Sequence, residues 1–241
     1  MKLKKMLKYI LLFDLIIALG LLYGFTKHKN YSKKIHKIHI SFKEEGNYFL
    51  TDTMVNKLLI QNKLHVKNQA KSMIDLYQLE ETVLANPFIE KAVVFLSARN
   101  VLNVQIKQRE AIARVMNANK PYYIDKQGVK LPVSLHYSAR VPVVFGVKTP
   151  ADLEEVYRFL KEINKDDFLK NEVVGIHKTN KKEFEIRVRS GDYIIVFGKC
   201  ERLKQKFFNL KAFYSKAFLE DKMKTYKTIN LTYHNQVVCT K

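Results

Sequence analysis

An apolar run close to the start of the chain limits what the rest of it can form. Residues 9–25 contain one charged side chain, Asp14, and are otherwise aliphatic, aromatic or glycine. A run of about 17 such residues is just long enough to cross a bilayer as a helix. We therefore predict a transmembrane helix at residues 9–25, a short tail at 1–8 and a water-exposed part after the helix. The tail carries Lys2, Lys4, Lys5 and Lys8.

A cleaved signal peptide has the same features and remains an alternative. Cleavage needs small residues at a set spacing, and only the segment from Ala18 to Gly20 offers them, with more apolar residues after it. The pattern favours an uncleaved anchor. Lysines also follow the run, from Lys27 to Lys37, but long domains translocate largely regardless of charge. We expect a cytoplasmic N-terminus, a periplasmic C-terminal part and a location in the inner (cytoplasmic) membrane.

Asp14 lies inside the apolar run, nearer its N-terminal end. An ionised carboxylate at mid-membrane costs roughly 2.5–3.5 kcal/mol on insertion scales. One interpretation is that Asp14 pairs with a polar group on another membrane helix. The other is that it lies shallow in the membrane, protonated or reaching the interface beside Lys8.

Charge and cysteine content narrow the class of the remaining chain. The protein has 241 residues, 47% of them hydrophobic, and a formal net charge of +20. Without the four N-terminal lysines and Asp14, the part after residue 25 keeps +17. The basic residues are scattered, so we do not expect nucleic-acid binding, although a basic surface that binds an anionic polymer remains an alternative. Cys200 and Cys239 are far apart in sequence, which favours two free thiols over a disulfide.

The first segment after the apolar run predicts a small α+β unit. Ile38, Ile40 and Phe42 alternate with polar residues, as in a half-buried strand. A helix follows from about Asp52, and a second begins after Asp75 and stops at Asn86-Pro87. Two strands, 89–96 and 101–106, complete the order βααββ, which resembles a POTRA domain. We place this domain at residues 35–108.

Three motifs follow in order, and together they resemble the FtsQ/DivIB family of cell-division proteins. They lie in residues 108–115, 122–128 and 140–146. The family patterns are Glu-Arg-x-Pro-x-Ala, Tyr-x-Ile-Asp-x-x-Gly and Pro-x-x-x-Gly. The chain departs from the first of these, since Gln108 replaces the Glu and the proline is displaced. The resemblance covers the whole chain and implies an FtsQ-type β domain at residues 109–241.

Periodicity within residues 109–241 predicts a mainly antiparallel β domain with two flanking helices. Thr149-Pro150 begins one helix, and the other runs from about Cys200 to Leu219. A hairpin joins residues 184–188 to 193–197, with its turn at Ser190-Gly-Asp192. Asp125 to Gly128 forms another turn, so Asp125 is interpreted as a turn residue rather than a catalytic carboxylate.

The C-terminal segment carries the main binding hypothesis. Residues 230–233, Asn-Leu-Thr-Tyr, replace the Asp-Leu-Arg-Tyr of the family, and Ile229, Leu231 and Tyr233 alternate as if facing inward. The resemblance implies that the last strand is a sheet edge to which FtsB adds a strand, with the helix from Cys200 as a neighbouring wall. The contact residues implied by position are Tyr233, Asn235, Gln236, Val237 and Thr240.

The sequence contains no motif of a known catalytic or metal site. It lacks a zinc-protease helix motif, a nucleophile elbow, a phosphate-binding glycine loop and metal-spaced Cys and His residues. We expect no catalytic residues, no metal and no cofactor.

The resemblance implies a non-enzymatic scaffold at the division septum that holds FtsB and FtsL and helps to regulate septal peptidoglycan synthesis. The alternatives are another POTRA-bearing envelope assembly or transport factor, and a basic domain that binds an envelope polymer or nucleic acid.

Overall fold

The computed structural model describes residues 2–43, 49–61, 69–117, 120–219, 223–233 and 236–241. The chain divides into two compact units, residues 1–108 and 109–241.

The chain begins with one long helix, α1 (Lys2–Tyr31). Its segment Ile10–Tyr31 is 22 residues long, and a stretch of 18 residues within it has a mean hydropathy of 1.9 and is not buried against the rest of the chain. Among the described residues it is the one helix long and apolar enough to cross a membrane. The helix therefore extends beyond Phe25, where the apolar run of the sequence ends. Asp14 is exposed on its surface.

The rest of the first unit has the order predicted from the sequence, strand–helix–helix–strand–strand. Its elements are β1 (Lys37–Phe42), α2 (Asp52–Gln61), a 3₁₀ turn (Lys71–Met73), α3 (Leu76–Leu84), β2 (Ile89–Leu96) and β3 (Val101–Gln108). The strands form a sheet in the order β1–β3–β2, in which β1 is parallel to β3 and β2 is antiparallel to it. The side chain of Asp75 accepts the N–H of Gln78 at 3.0 Å and so caps α3, as the sequence predicts.

Gln108 closes the first unit at the end of β3. Its side chain is buried, accepts the N–H of Leu50 at 3.0 Å and donates to the Leu50 carbonyl at 3.1 Å. An amide can do both, whereas a carboxylate can only accept. The departure of Gln108 from the family pattern therefore has a structural role.

The second unit is built on one nine-stranded sheet in the order β12–β11–β10–β9–β8–β7–β4–β5–β6. The strands are β4 (Ala111–Val115), β5 (Tyr122–Asp125), β6 (Lys130–Pro132), β7 (Val143–Phe145), β8 (Val173–Lys178), β9 (Phe184–Val188), β10 (Ile194–Gly198), β11 (Thr228–Asn230) and β12 (Val238–Thr240). Most neighbouring strands are antiparallel, as predicted. The pairs β4–β7, β7–β8 and β10–β11 are parallel, which the sequence did not predict.

Three helices accompany this sheet: α4 (Pro150–Ile163), α5 (Asp167–Glu172) and α6 (Leu203–Leu219). Two of them were predicted. Thr149 caps α4 in a capping box with Asp152, and Pro150 is the first helical residue. The short helix α5 was not predicted, because six residues are too few to display a helical period. Helix α6 begins three residues after Cys200, since Arg202 has a positive φ of 51° that a helix does not accept.

Helices α4 and α6 bury their apolar sides against the sheet. The ring of Phe159 on α4 stacks on Phe184 of β9 at 4.6 Å between centroids and meets Phe197 of β10 edge-on at 4.8 Å. Phe207 of α6 lies 4.9 Å from Phe197. These rings centre the core that supports β9 and β10, and β10 in turn carries the last two strands of the sheet.

Candidate partner-binding edge

The free edges of the two sheets differ in how far they are blocked. On β2, the N–H of Val94 donates to the Glu80 side chain at 3.0 Å, so part of that edge is occupied. On β6, Pro132 has no N–H to offer. On β12, the described residues Val238, Cys239 and Thr240 include neither a proline nor a charged residue. Because natural edges are usually protected by such devices, β12 is, of these three edges, the one best suited to accept another strand.

Strand β12 is attached to the sheet through β11. It pairs antiparallel with β11, with Thr240 opposite Thr228, Cys239 opposite Ile229 and Val238 opposite Asn230. Strand β11 pairs in parallel with β10. The N–H of Lys227 also donates to the Thr240 carbonyl at 2.9 Å, which ties the end of β12 to the start of β11.

The hydrogen bonds of β11 determine which backbone groups of β12 face outward. Just after β11, Leu231 donates its N–H to the Val196 carbonyl at 2.9 Å, and just before it the Lys227 carbonyl accepts the N–H of Ile194 at 3.1 Å. The backbone groups of Ile229, the middle residue of β11, therefore also face β10. Backbone groups alternate along a strand, so those of Thr228 and Asn230 point to β12. Their partners, Thr240 and Val238, point back. The N–H and C=O of Cys239 are therefore directed away from the sheet, at the free edge.

The side chains of β12 alternate between the core and solvent. Cys239 is half-buried and packs against the hydrophobic core on the face of its partner Ile229. Val238 is 39% exposed, and Thr240 is exposed. Neither Val238 nor Cys239 was among the residues implied by the resemblance. Successive side chains of a strand point to opposite faces, so a strand assigned to residues 237–240 would have identified both residues as part of the edge.

Four of the five implied contact residues lie among the described residues. Thr240 is on β12, Gln236 is exposed and Val237 is half-buried just before the strand. Asn235 lies outside the described residues. Tyr233 is 51% exposed, so the prediction that it faces inward is wrong.

A turn at the end of β11 explains the position of Tyr233. Asn230 Oδ1 accepts the N–H of Thr232 at 2.8 Å and its hydroxyl at 2.7 Å. This Asx turn ends the strand before the alternation can reach Tyr233. Asn230 and Thr232 are the two residues that depart from the family's Asp and Arg, and here they bond to each other.

Helix α6 lies beside this end of the sheet through its C-terminal half. Phe213 on the helix contacts Tyr226, just before β11, at 5.6 Å between ring centroids. The helix also presents exposed apolar side chains, Phe208 and Leu219.

The second unit contains two cysteines. Cys200 and Cys239 are both free thiols, and burial raises the pKa of each, which keeps them protonated at neutral pH. The described residues contain no group of three or more His, Cys, Asp or Glu side chains placed to hold a metal ion.

Comparison with known families decides the identity of the second unit. A family model described as FtsQ/DivIB, C-terminal related, matches residues 110–240, which is more than half of the chain. The chain belongs to the FtsQ/DivIB family. A POTRA-like domain model matches residues 33–107. FtsQ/DivIB proteins are cell-division scaffolds, and this chain has a POTRA-like region, the C-terminal unit of the family and an apolar N-terminal helix suited to single-pass anchoring.

Comparisons with solved structures and with curated sequences give weaker similarities than the family models, or none. The chain is similar to the major extracytoplasmic domain, in its trans isomer, of the cell-division protein DivIB from Geobacillus stearothermophilus. The two are 18% identical over 48% of this chain and 98% of that domain, with a TM-score of 0.34. A comparison with curated proteins gives no match.

Proposed function

We propose that this FtsQ/DivIB protein is a membrane-anchored division scaffold that holds an FtsB–FtsL pair by strand addition at β12. The observation that carries the proposal is the open edge, where the N–H and C=O of Cys239 face outward and no proline or charge blocks Val238 to Thr240. A strand of FtsB would bond to these groups, while Val237, Val238 and the exposed side chains of α6 would supply apolar contact. Holding this pair at the septum would time septal peptidoglycan synthesis.

The proposed topology follows from the length and position of α1. The tail 1–8 is cytoplasmic, α1 crosses the inner membrane, and the rest of the first unit and the whole second unit are periplasmic. Long translocated domains tolerate the lysines that follow the helix. Protease accessibility in spheroplasts tests this topology. External protease should digest residues 32–241, and protection of these residues would indicate the opposite orientation.

A proline at position 239 tests the binding mode. Cys239→Pro removes the outward N–H but leaves the bonds between β11 and β12, because prolines are tolerated where the N–H faces solvent. We expect at least a ten-fold loss of affinity (about 1.4 kcal/mol) for a co-expressed FtsB–FtsL pair. The measurement is a titration of the full chain in nanodiscs. Val237→Lys, which places a charge beside the same edge, should also weaken binding.

Cys239→Val is the matched control, since it also replaces the thiol but keeps the N–H. It should bind like the wild-type chain. Equal affinity of the proline variant and the wild type would rule out strand addition at β12. Binding that disappears steeply with salt would instead favour a charge-driven contact, because backbone pairing depends on salt only weakly.

We also propose that Asp14 pairs with a polar group on another membrane helix. Its carboxyl group is exposed on α1, so it is available to such a partner. Cross-linking of α1 to a division-protein helix should fall in Asp14→Leu and be largely retained in Asp14→Asn, which preserves hydrogen bonding. Unchanged cross-linking in Asp14→Leu would rule the pairing out.

A further inference from the structure

The segment that follows α1 forms a cleft with the 3₁₀ turn Lys71–Met73. Ile35 donates its N–H to Gln69 at 3.0 Å, and Lys71 donates its N–H to the Lys33 carbonyl at 3.0 Å. Lys34 forms an antiparallel bridge with Ala70 between these two bonds. The fold thus brings Lys71, which is distant in sequence, to the C-terminal end of α1.

The cleft combines aromatic and basic side chains. Its volume is about 860 Å³. Three aromatic residues line it, Tyr23, Phe25 and Tyr31, together with four lysines, Lys27, Lys29, Lys33 and Lys71. The ammonium group of Lys29 lies 5.8 Å from the centre of the Phe25 ring.

Among the described residues, no acidic side chain pairs with these lysines. The sequence has no Asp or Glu from Thr26 to Phe42, nor from Gln69 to Ile74. Within the part of the chain that the structure describes, Lys27, Lys29, Lys33 and Lys71 form no ion pair. Four like charges around one cleft repel one another, and a bound anion would relieve that repulsion.

The cleft lies where α1 leaves its apolar segment. The span Ile10–Tyr31 includes Tyr23, Phe25 and Tyr31, and aromatic rings of this kind favour the level of the lipid headgroups. Lysines at the same level extend their ammonium groups toward the polar interface. Met73, at the end of the 3₁₀ turn, is exposed and adds an apolar side chain to this region.

We propose that this cleft binds the phosphate group of an anionic phospholipid in the leaflet that faces the soluble part of the chain. The lysines contact the phosphate, and the aromatic rings pack against the upper acyl chains. The proposal rests on membrane anchoring by α1, which is part of the proposed function, but it does not depend on β12. It also gives a role to the lysines that follow the apolar run. These lysines do not favour the proposed membrane orientation, so orientation does not explain their presence.

Native mass spectrometry of the full chain in detergent micelles tests this site. Equal amounts of phosphatidylglycerol and phosphatidylcholine are added, and the retained lipid adducts are counted. The wild-type chain should retain phosphatidylglycerol preferentially. Lys71→Gln alone should reduce this retention about five-fold, which is the contribution of one lysine near an anionic surface. Replacing Lys27, Lys29, Lys33 and Lys71 together by Gln should abolish the preference.

A second quadruple variant separates the cleft from the overall charge. It replaces the exposed Lys161, Lys204, Lys216 and Lys227 of the second unit by Gln and should retain phosphatidylglycerol like the wild type. Equal retention of both lipids by the wild type, or equal loss in both quadruple variants, would overturn the proposal. Displacement of the lipid by inorganic phosphate would identify a free-phosphate site and overturn it too.

Carbonate extraction of membranes distinguishes failure of the site from failure of the anchor. The wild type and both variants should stay in the membrane pellet, because the substitutions leave the apolar segment of α1 unchanged apart from Lys27 and Lys29 at its end. Release of the wild type would contradict anchoring itself, whereas a wild type that stays fully in the pellet but shows no lipid preference would contradict only the cleft.

Discussion

At the scale of single residues, the two hydrogen bonds between Gln108 and Leu50 require an amide side chain. Gln108→Glu would lose the donor to the Leu50 carbonyl and place a carboxylate at a site that is 6% exposed. We expect a loss of about 2–3 kcal/mol in the free energy of unfolding, since a buried acceptor is left without its donor and a charge is buried. Guanidinium unfolding followed by circular dichroism measures it.

Gln105→Glu is the control for this substitution. Gln105 lies on the same strand, β3, but is only half-buried, so its change should cost well under 1 kcal/mol. If the two variants lose equal stability, the paired hydrogen bonds of Gln108 have no special role.

Buried lysines show where residue-level prediction from sequence fails. Lys206 lies within the sequence of α6 and would be expected to face water. It is instead buried, and its ammonium group donates to the carbonyls of Phe197 at 2.9 Å and Lys199 at 3.1 Å. Burial lowers its pKa. The two acceptors lie at the end of β10, and no local pattern could have placed them beside Lys206.

At the scale of elements, helix α4 depends on its N-terminus and on Lys178 of β8. The Lys178 ammonium group lies 2.5 Å from Asp152 and 2.6 Å from Glu155. These bonds outweigh burial and raise the pKa of Lys178. The bond from Lys178, with those from Thr149, holds the pKa of Asp152 well below its usual range.

This arrangement predicts a stability that depends on pH. A carboxyl group whose pKa is lowered by folding stabilises the protein fully above its unfolded pKa, near 4, and loses this contribution as the pH falls toward the folded pKa. Asp152→Asn should therefore be less stable than the wild type by about 1–2 kcal/mol at pH 7, and the difference should shrink below about pH 4. Unfolding titrations from pH 2 to 7 measure this.

Asp167→Asn provides the comparison, because Asp167 is in the first turn of α5 and is exposed. It should cost less stability at pH 7 than Asp152→Asn. A deficit of Asp152→Asn that stays constant across the acid range would contradict the role of the ionised carboxylate.

Elements with local signals could be predicted, and elements that depend on distant contacts could not. Thr149-Pro150 with Asp152 specifies the start of α4 within four residues. The hairpin β9–β10 follows from alternation and a turn. In contrast, the parallel pairing of β10 with β11 joins residues separated by the whole of α6, so no local pattern encodes it. That pairing also determines which groups of β12 face outward.

At the scale of the whole molecule, the family and the order of the elements in the first unit could be inferred from the sequence, and the family resemblance suggested the candidate edge. The orientation of Cys239 at that edge could not, because it depends on the hydrogen bonds between β10 and β11. The same holds for the lysine cleft at the end of α1, which requires Lys71 to be brought next to Lys33. Both features arise from pairings between segments that are distant in sequence.

Hydrogen–deuterium exchange of the full chain, alone and with a co-expressed FtsB–FtsL pair, tests strand addition most directly. We expect slower exchange in the peptide covering residues 236–241, because the outward N–H of Cys239 becomes bonded to the partner. The peptide covering β6, where Pro132 blocks the edge, should exchange equally in both samples. A complex that forms while residues 236–241 exchange at an unchanged rate would contradict the account.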